Sequence, residues 1–191
     1  HKKIILASKS PRRQTLLKEL NVEFEIRLKE VDEIYPEHLR GVEVPVFLSK
    51  LKGEAFKNDL KDDEVIVTSD TIVCLNDAIL GKPLDRNDAI AILKALSGKM
   101  HHVHTGVTIQ QKDSSYTFSE STEVYFKKLA DAEITYYIDT FKPFDKAGAY
   151  GIQEWIGYIG IEKINGCFYN VMGLPLFRLH EEFLRLGVVS L

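Results

Sequence analysis

Cysteine is scarce in this chain of 191 residues: only Cys74 and Cys167 occur, each alone in an apolar, strand-like run. No disulfide framework and no CxxC metal or redox motif can be built from them, so buried reduced thiols in a cytoplasmic protein are the expectation. Apolar runs of membrane-spanning length are missing too, since none approaches ~20 residues, and no membrane partner is expected. No signal-peptide pattern stands at the N-terminal end. Neither sign of charge dominates: 25 Lys and Arg face 28 Asp and Glu, a formal net charge of −3. Without a global basic field or a basic stripe, nucleic acid is not an expected partner, and any anion site must be local. No GxxxxGK[ST] run occurs, which removes a P-loop, and no internal repeat appears. What remains is an ordinary globular composition, and the length fits one domain over 1–191, with room for two lobes around a shared core.

Against that plain background the stretch Leu6-Ala7-Ser8-Lys9-Ser10-Pro11-Arg12-Arg13 stands out. A short apolar run, Ile4-Ile5-Leu6, ends in a turn, and a helix pattern follows at once. Ser10 suits the N-cap and Pro11 the first helical position, where its missing N–H costs nothing. Arg12 and Arg13 then fall in the first turn, where the helix dipole already disfavours cations. That placement is poor for local stability and good for an anion, so the segment reads either as a phosphate-binding strand–turn–helix or as a solvated arginine pair.

Along the chain, Val22, Phe24, Ile26 and Leu28 alternate with charged residues and predict a half-buried strand, ending in the acidic cluster Glu30, Asp32 and Glu33. A helix starting near Pro45 carries the apolar face Phe47, Leu48, Leu51 and Ala55, with Lys52 at its edge. Glu64 to Leu75 is the most strand-like run, interrupted by Thr68-Ser69-Asp70-Thr71, and Asn76-Asp77 turns it back through Ala78–Leu80 to Gly81-Lys82-Pro83. A helix capped by Asp85 or Asn87 follows, then two alternating runs around Asp113-Ser114, then a helix near Ala130 to Thr140. Asp145 to Gln153 reads as a glycine-bearing loop. Ile156–Ile164 and Cys167–Val171 flank Asn165-Gly166 and predict a hairpin, and a final helix opens after Gly173-Leu174-Pro175. Tight hairpins beside strand–helix–strand units predict an α/β fold: a mixed, curved sheet flanked by helices, with two lobes around a central cleft.

Asp70 is the carboxylate that most needs explaining, because a charge in a buried strand must be paired, hydrogen-bonded or metal-bound. Arg12, Arg13, Lys52 and Lys82 are cations able to surround several phosphates, while Asp70 with Glu33 or Asp32 offers oxygen ligands for a divalent cation. Cations on the oxygens and a metal on the phosphorus centre together suit a phosphoanhydride. Gln153 presents an amide donor and acceptor side by side, which suits the edge of a pyrimidine. His101, His102 and His104 share too little geometry for zinc and read as a solvated run, and Trp155 with Tyr136-Tyr137 reads as core or interface.

These pieces stand in one order. Leu6–Arg13, Ser69-Asp70-Thr71-Ile72-Val73, Gly81-Lys82-Pro83, Ser97-Gly98-Lys99, His104-Thr105-Gly106-Val107, Asp145–Gln153 and Val171-Met172-Gly173-Leu174-Pro175 together resemble the Maf family of nucleoside triphosphate pyrophosphatases, from about Ile4 to Leu186. The resemblance implies a fold like that of inosine triphosphate pyrophosphatase and hydrolysis between the α and β phosphates with Mg²⁺ or Mn²⁺. The loop ending in Gln153 is similar to the dTTP- and UTP-cleaving subgroup, with modified pyrimidine nucleotides within reach. By motif it implies Asp70 as proton acceptor and metal ligand, and Arg12, Thr71 and Gln153 as specificity positions. It further implies Ser8, Arg13, Lys52 and Lys82 at the triphosphate, Glu33 at the metal, and a homodimer. The chain departs from the pattern after Gln153, where Glu154-Trp155 replaces smaller residues. A regulator of septum formation, acting through a protein partner, is the rival function that the family's name carries.

Overall fold

In the computed structural model, which describes residues 2–191, the apolar run at the N-terminal end forms β1 (Lys3–Leu6). Ser10 then caps α1 (Pro11–Glu19), its Oγ accepting from Arg13 N at 3.3 Å, with Pro11 at the first helical position. The short β2 (Phe24–Ile26) is followed by α2 (Glu43–Glu54), the long β3 (Glu64–Leu75) and its hairpin partner β4 (Ala78–Leu80). Asp85 caps α3 (Arg86–Leu96), accepting from Asp88 N at 2.8 Å. The hairpin of β5 (Met100–Gln110) and β6 (Ser115–Phe126) leads to α4 (Asp131–Phe141). The chain ends with α5 (Trp155–Gly160), β7 (Ile161–Asn165), α6 (Phe168–Met172) and α7 (Leu176–Arg185).

All seven strands join one mixed sheet in the order β2-β1-β3-β5-β6-β7, with β4 on β3 alone. β1 pairs parallel with both β2 and β3, and every other pairing is antiparallel. Alternation along β3 divides the core. Val65 and Val67 pack with Leu16 and Leu17 of α1 and Leu179 and Phe183 of α7. Val73 packs with Leu93 of α3 and Ile134, Tyr137 and Ile138 of α4. On the other face, Ile72 and Cys74 meet Val44 and Leu48 of α2. The two large clusters share the β3–β5–β6 strands, and Ser69-Asp70-Thr71 falls between them. That arrangement answers the expected mixed sheet with helices at both ends.

One close approach sets where α2 lies. Asp70 of β3 pairs with Gly106 of β5. A Cβ on Gly106 would stand 2.3 Å from the carbonyl oxygen of Pro45, so only glycine lets the start of α2 rest on the sheet there. The helix thereby carries Lys52 over Asp70.

Three local expectations are corrected. The alternation over Val22–Leu28 becomes a strand only over Phe24–Ile26, because this edge strand has β1 as its single neighbour; Ile26 and Leu28 are exposed. Ile156–Ile164 is not one strand: its first half is α5, with Ile156 and Gly160 buried on one side and Gly157 so close that a Cβ would lie 1.8 Å from Ile152 O. Cys167–Val171 is not a strand either. Cys167 is the N-cap of α6, and the buried Asn170 pins that helix by donating from Nδ2 to Val103 O, Glu120 O and Thr122 Oγ1. A short apolar run carries no period long enough to separate these states, so tertiary anchors decide.

Candidate active site

A cleft of about 1030 Å³ opens where the polar middle of β3 meets the turns at the ends of β1 and β4. It is lined by every site residue that the resemblance implies: Ser8, Arg12, Arg13, Glu33, Lys52, Asp70, Thr71, Lys82 and Gln153. They come from both ends of the chain and from both sheet faces, since Asp70 and Thr71 are adjacent in a strand and point to opposite sides.

On the α2 side, Lys52 Nζ lies 3.2 Å from Asp70 Oδ1, 2.7 Å from Glu33 Oε1 and 3.1 Å from Ser69 O. The lysine at the edge of its helix face therefore reaches inward. The Asp70 side chain is 14% exposed, and its Oδ2 is buried with no partner among the described residues. Burial pushes this carboxyl above the ordinary carboxylate range, with Lys52 and Arg13 pulling it back.

On the α1 side, Arg13 Nε donates to Gly173 O at 2.7 Å and Nη2 donates to Thr71 Oγ1 at 2.7 Å. Thr71 also meets Thr105 Oγ1 at 2.9 Å. The guanidinium is thus fixed at two points before any ligand arrives. Burial lowers its pKa, Asp70 opposes that, and Arg12 adds to it. Gly173 can approach because it ends α6 at φ +114°, the left-handed region that favours glycine. The buried Ser8 accepts from Ser10 N at 3.1 Å, and its carbonyl accepts from Gln14 Nε2 at 2.9 Å, which holds the turn before the helix. Arg12 reaches Asp145 Oδ2 at 3.3 Å, and Lys82 lines the cleft from an exposed turn. Gln153 also lines the cleft, and its Oε1 is buried without a partner among the described residues.

An anchored guanidinium, an inward lysine and a buried carboxylate are a set able to take an anion with a base beside it. The family model described as Maf-like protein matches residues 3–186. This chain belongs to the Maf family. Among Maf relatives, the dTTP/UTP pyrophosphatase of Parabacteroides distasonis is 52% identical over 181 residues, covering 94% of each chain. Relatives with the same name from Flavobacterium psychrophilum and Bacteroides thetaiotaomicron are 51% and 47% identical, over 93% and 96% of this chain and 91% and 95% of theirs. Among solved structures, the Staphylococcus aureus Ham1 protein gives a TM-score of 0.48 at 15% identity, over 68% of this chain and 73% of its own. A dITP/XTP pyrophosphatase from Mycobacterium abscessus gives 0.43 at 15% identity, over 66% and 75%.

Two features of this Maf site are absent from the sequence reading. His101 is not part of a solvated run: it is fully buried, its Nε2 lies 2.6 Å from Tyr150 OH, and burial holds its pKa down to about 4. Tyr150 lines the cleft, so this pair backs the loop that carries Gln153. The other is the ionic chain of Asp145, Lys146 and Glu154. The alternation of β5 places His101 with the inward Val103, a signal available in the sequence; nothing local marks Lys146, and Glu154 stands out only in the Glu154-Trp155 departure from the family pattern.

Proposed function

We propose that this Maf chain hydrolyses UTP and dTTP between the α and β phosphates, giving the monophosphate and pyrophosphate. The single observation that carries the reading is Asp70: a buried carboxylate with one oxygen tied to Lys52 and the other free, in a cleft with an immobilised arginine. The names and identities of the relatives supply the substrate class, and the site supplies a chemistry that suits it.

In this reading a water attacks the α phosphorus, and its proton passes to the Asp70 carboxylate. The bond to the bridging oxygen breaks, and pyrophosphate leaves. Arg13, Ser8, Lys52 and Lys82 bind triphosphate oxygens, with Arg13 held in line by Thr71 and Gly173. Arg12, Thr71 and Gln153 select the nucleotide, Thr71 acting through the arginine it anchors.

Asp70 and Glu33 fit a divalent cation as hard oxygen donors, one of them with a buried unused oxygen. Among the described residues no cluster of three or more His, Cys, Asp or Glu surrounds them, so phosphate and water oxygens would complete the shell, as suits Mg²⁺ or Mn²⁺. When bound, such an ion neutralises phosphate charge and polarises the phosphorus centre.

Three further parts belong to the same proposal. Unpaired Cys74 and Cys167 suit a reducing cytoplasm, and no described helix is long and apolar enough to cross a membrane. The net charge of −3 supplies no global basic field for nucleic acid. A homodimer has an available apolar surface in exposed Phe168, Tyr169 and Phe177. The test of the central reading is a panel of triphosphates assayed for pyrophosphate with and without Mg²⁺ or Mn²⁺. Metal-dependent release greatest with UTP and dTTP supports it; release confined to purine nucleotides refutes it.

A further inference from the structure

Behind Gln153 lies a group of side chains with no part in the reading above. Tyr137 is fully buried on α4, yet its hydroxyl accepts from Gly151 N at 3.0 Å and donates to Glu154 Oε1 at 2.6 Å. Lys146 Nζ stands 3.8 Å from that same oxygen and 3.0 Å from Asp145 Oδ1, its side chain only 11% exposed. Their ends converge on Gly151. A Cβ built there would lie 2.9 Å from Glu154 Oε1, 3.0 Å from Lys146 Cε and 3.1 Å from Gln153 Nε2. A tyrosine, a carboxylate and an ammonium enclosed together are an expensive way to pack a loop, and they end beside one amide.

That neighbourhood is directional. A carboxylate next to a primary amide draws the NH₂ group toward itself and turns the carbonyl oxygen away. Gln153 Oε1 is enclosed without a donor among the described residues, on a residue that lines the cleft. A buried acceptor left unpaired favours a ligand that brings an N–H and rejects one that brings another lone pair. Uracil and thymine carry an imide N3–H between two carbonyls; cytosine has a bare acceptor at N3 and its donor outside the ring at N4, so an acceptor registered on N3 meets a lone pair.

We infer that Glu154, held by Tyr137 and Lys146, is a positioning residue that fixes the sense of the Gln153 amide and so selects imide bases over cytosine. The inference rests on the pyrimidine-triphosphate reading and adds to it the device that sets the base. Glu154 touches neither phosphate nor metal in this scheme, so its effect falls on base discrimination and not on bond cleavage.

The experiment is kcat/KM for UTP and CTP in the wild type, Glu154→Gln and Tyr137→Phe. Both variants are near-isosteric, and the UTP-to-CTP ratio within one preparation does not depend on the fraction folded. The expected result is a ratio lowered by about tenfold or more in each variant, with the loss in the KM for UTP more than in kcat. A ratio within about twofold of wild type, or equal losses on both nucleotides, overturns the inference and leaves the substrate reading standing. A wild-type enzyme that cleaves UTP and CTP alike overturns the substrate reading, and the inference with it.

Discussion

Replacing Arg13 by lysine keeps the charge and removes the geometry. A guanidinium has five N–H bonds; Arg13 commits one to Gly173 O and one to Thr71 Oγ1, both at 2.7 Å, and keeps three for the cleft. A lysine has three on a single nitrogen. If it keeps both anchors, one N–H at most remains, and a bidentate grip on phosphate becomes a single contact. One charge-assisted hydrogen bond is worth about 1.5–3 kcal/mol, so kcat/KM for UTP should fall by about 10- to 150-fold. Continuous detection of pyrophosphate measures this directly. Thr71→Ser, which retains the anchoring hydroxyl, should fall far less than Thr71→Val, which strands Nη2. Activity of Arg13→Lys within about threefold of wild type would show that charge alone suffices and that the fixed fork has no role.

Two other consequences concern Asp70 and His101. Asp70→Asn should remove most turnover while raising the melting temperature at pH 7. The carboxyl titrates higher in the folded chain than in the unfolded one, so its stabilising contribution is complete below the unfolded pKa and lost as pH rises through the folded value. A variant that is both active and less stable contradicts this account of the residue. His101 has the opposite linkage: with its pKa lowered from 6.5 to about 4, stability should be full above pH 6.5 and decline as pH falls toward 4. His101→Gln should flatten that part of the melting-temperature profile, and an unchanged slope would exclude His101 as its source.

Much of the fold was legible because local chemistry and tertiary structure agree. Ser10-Pro11 and Asp85 start their helices as cap preferences dictate, and the long alternating runs of β3, β5 and β6 have period enough to be unambiguous. Disagreement appears where a run is short and a distant contact decides. Asn170 holds α6 helical through acceptors on β5 and β6, and Asn165-Gly166, a hairpin signal by composition, instead joins a strand to a helix. The site shows the same division. Its charged members were visible as residues that local stability does not require, such as Asp70 within a buried strand. Their partners were not: Arg13 is anchored by a carbonyl 160 positions away, and Glu154 lies beside Tyr137 only because α4 crosses behind the loop.

The central claim is cleavage at the α–β anhydride by a site built on Asp70. ³¹P NMR of the products of UTP, with Mg²⁺ present, tests it most directly. UMP and pyrophosphate in equal amounts are the predicted products, absent with Asp70→Asn; UDP with orthophosphate, or identical products from the Asp70→Asn protein, would contradict it.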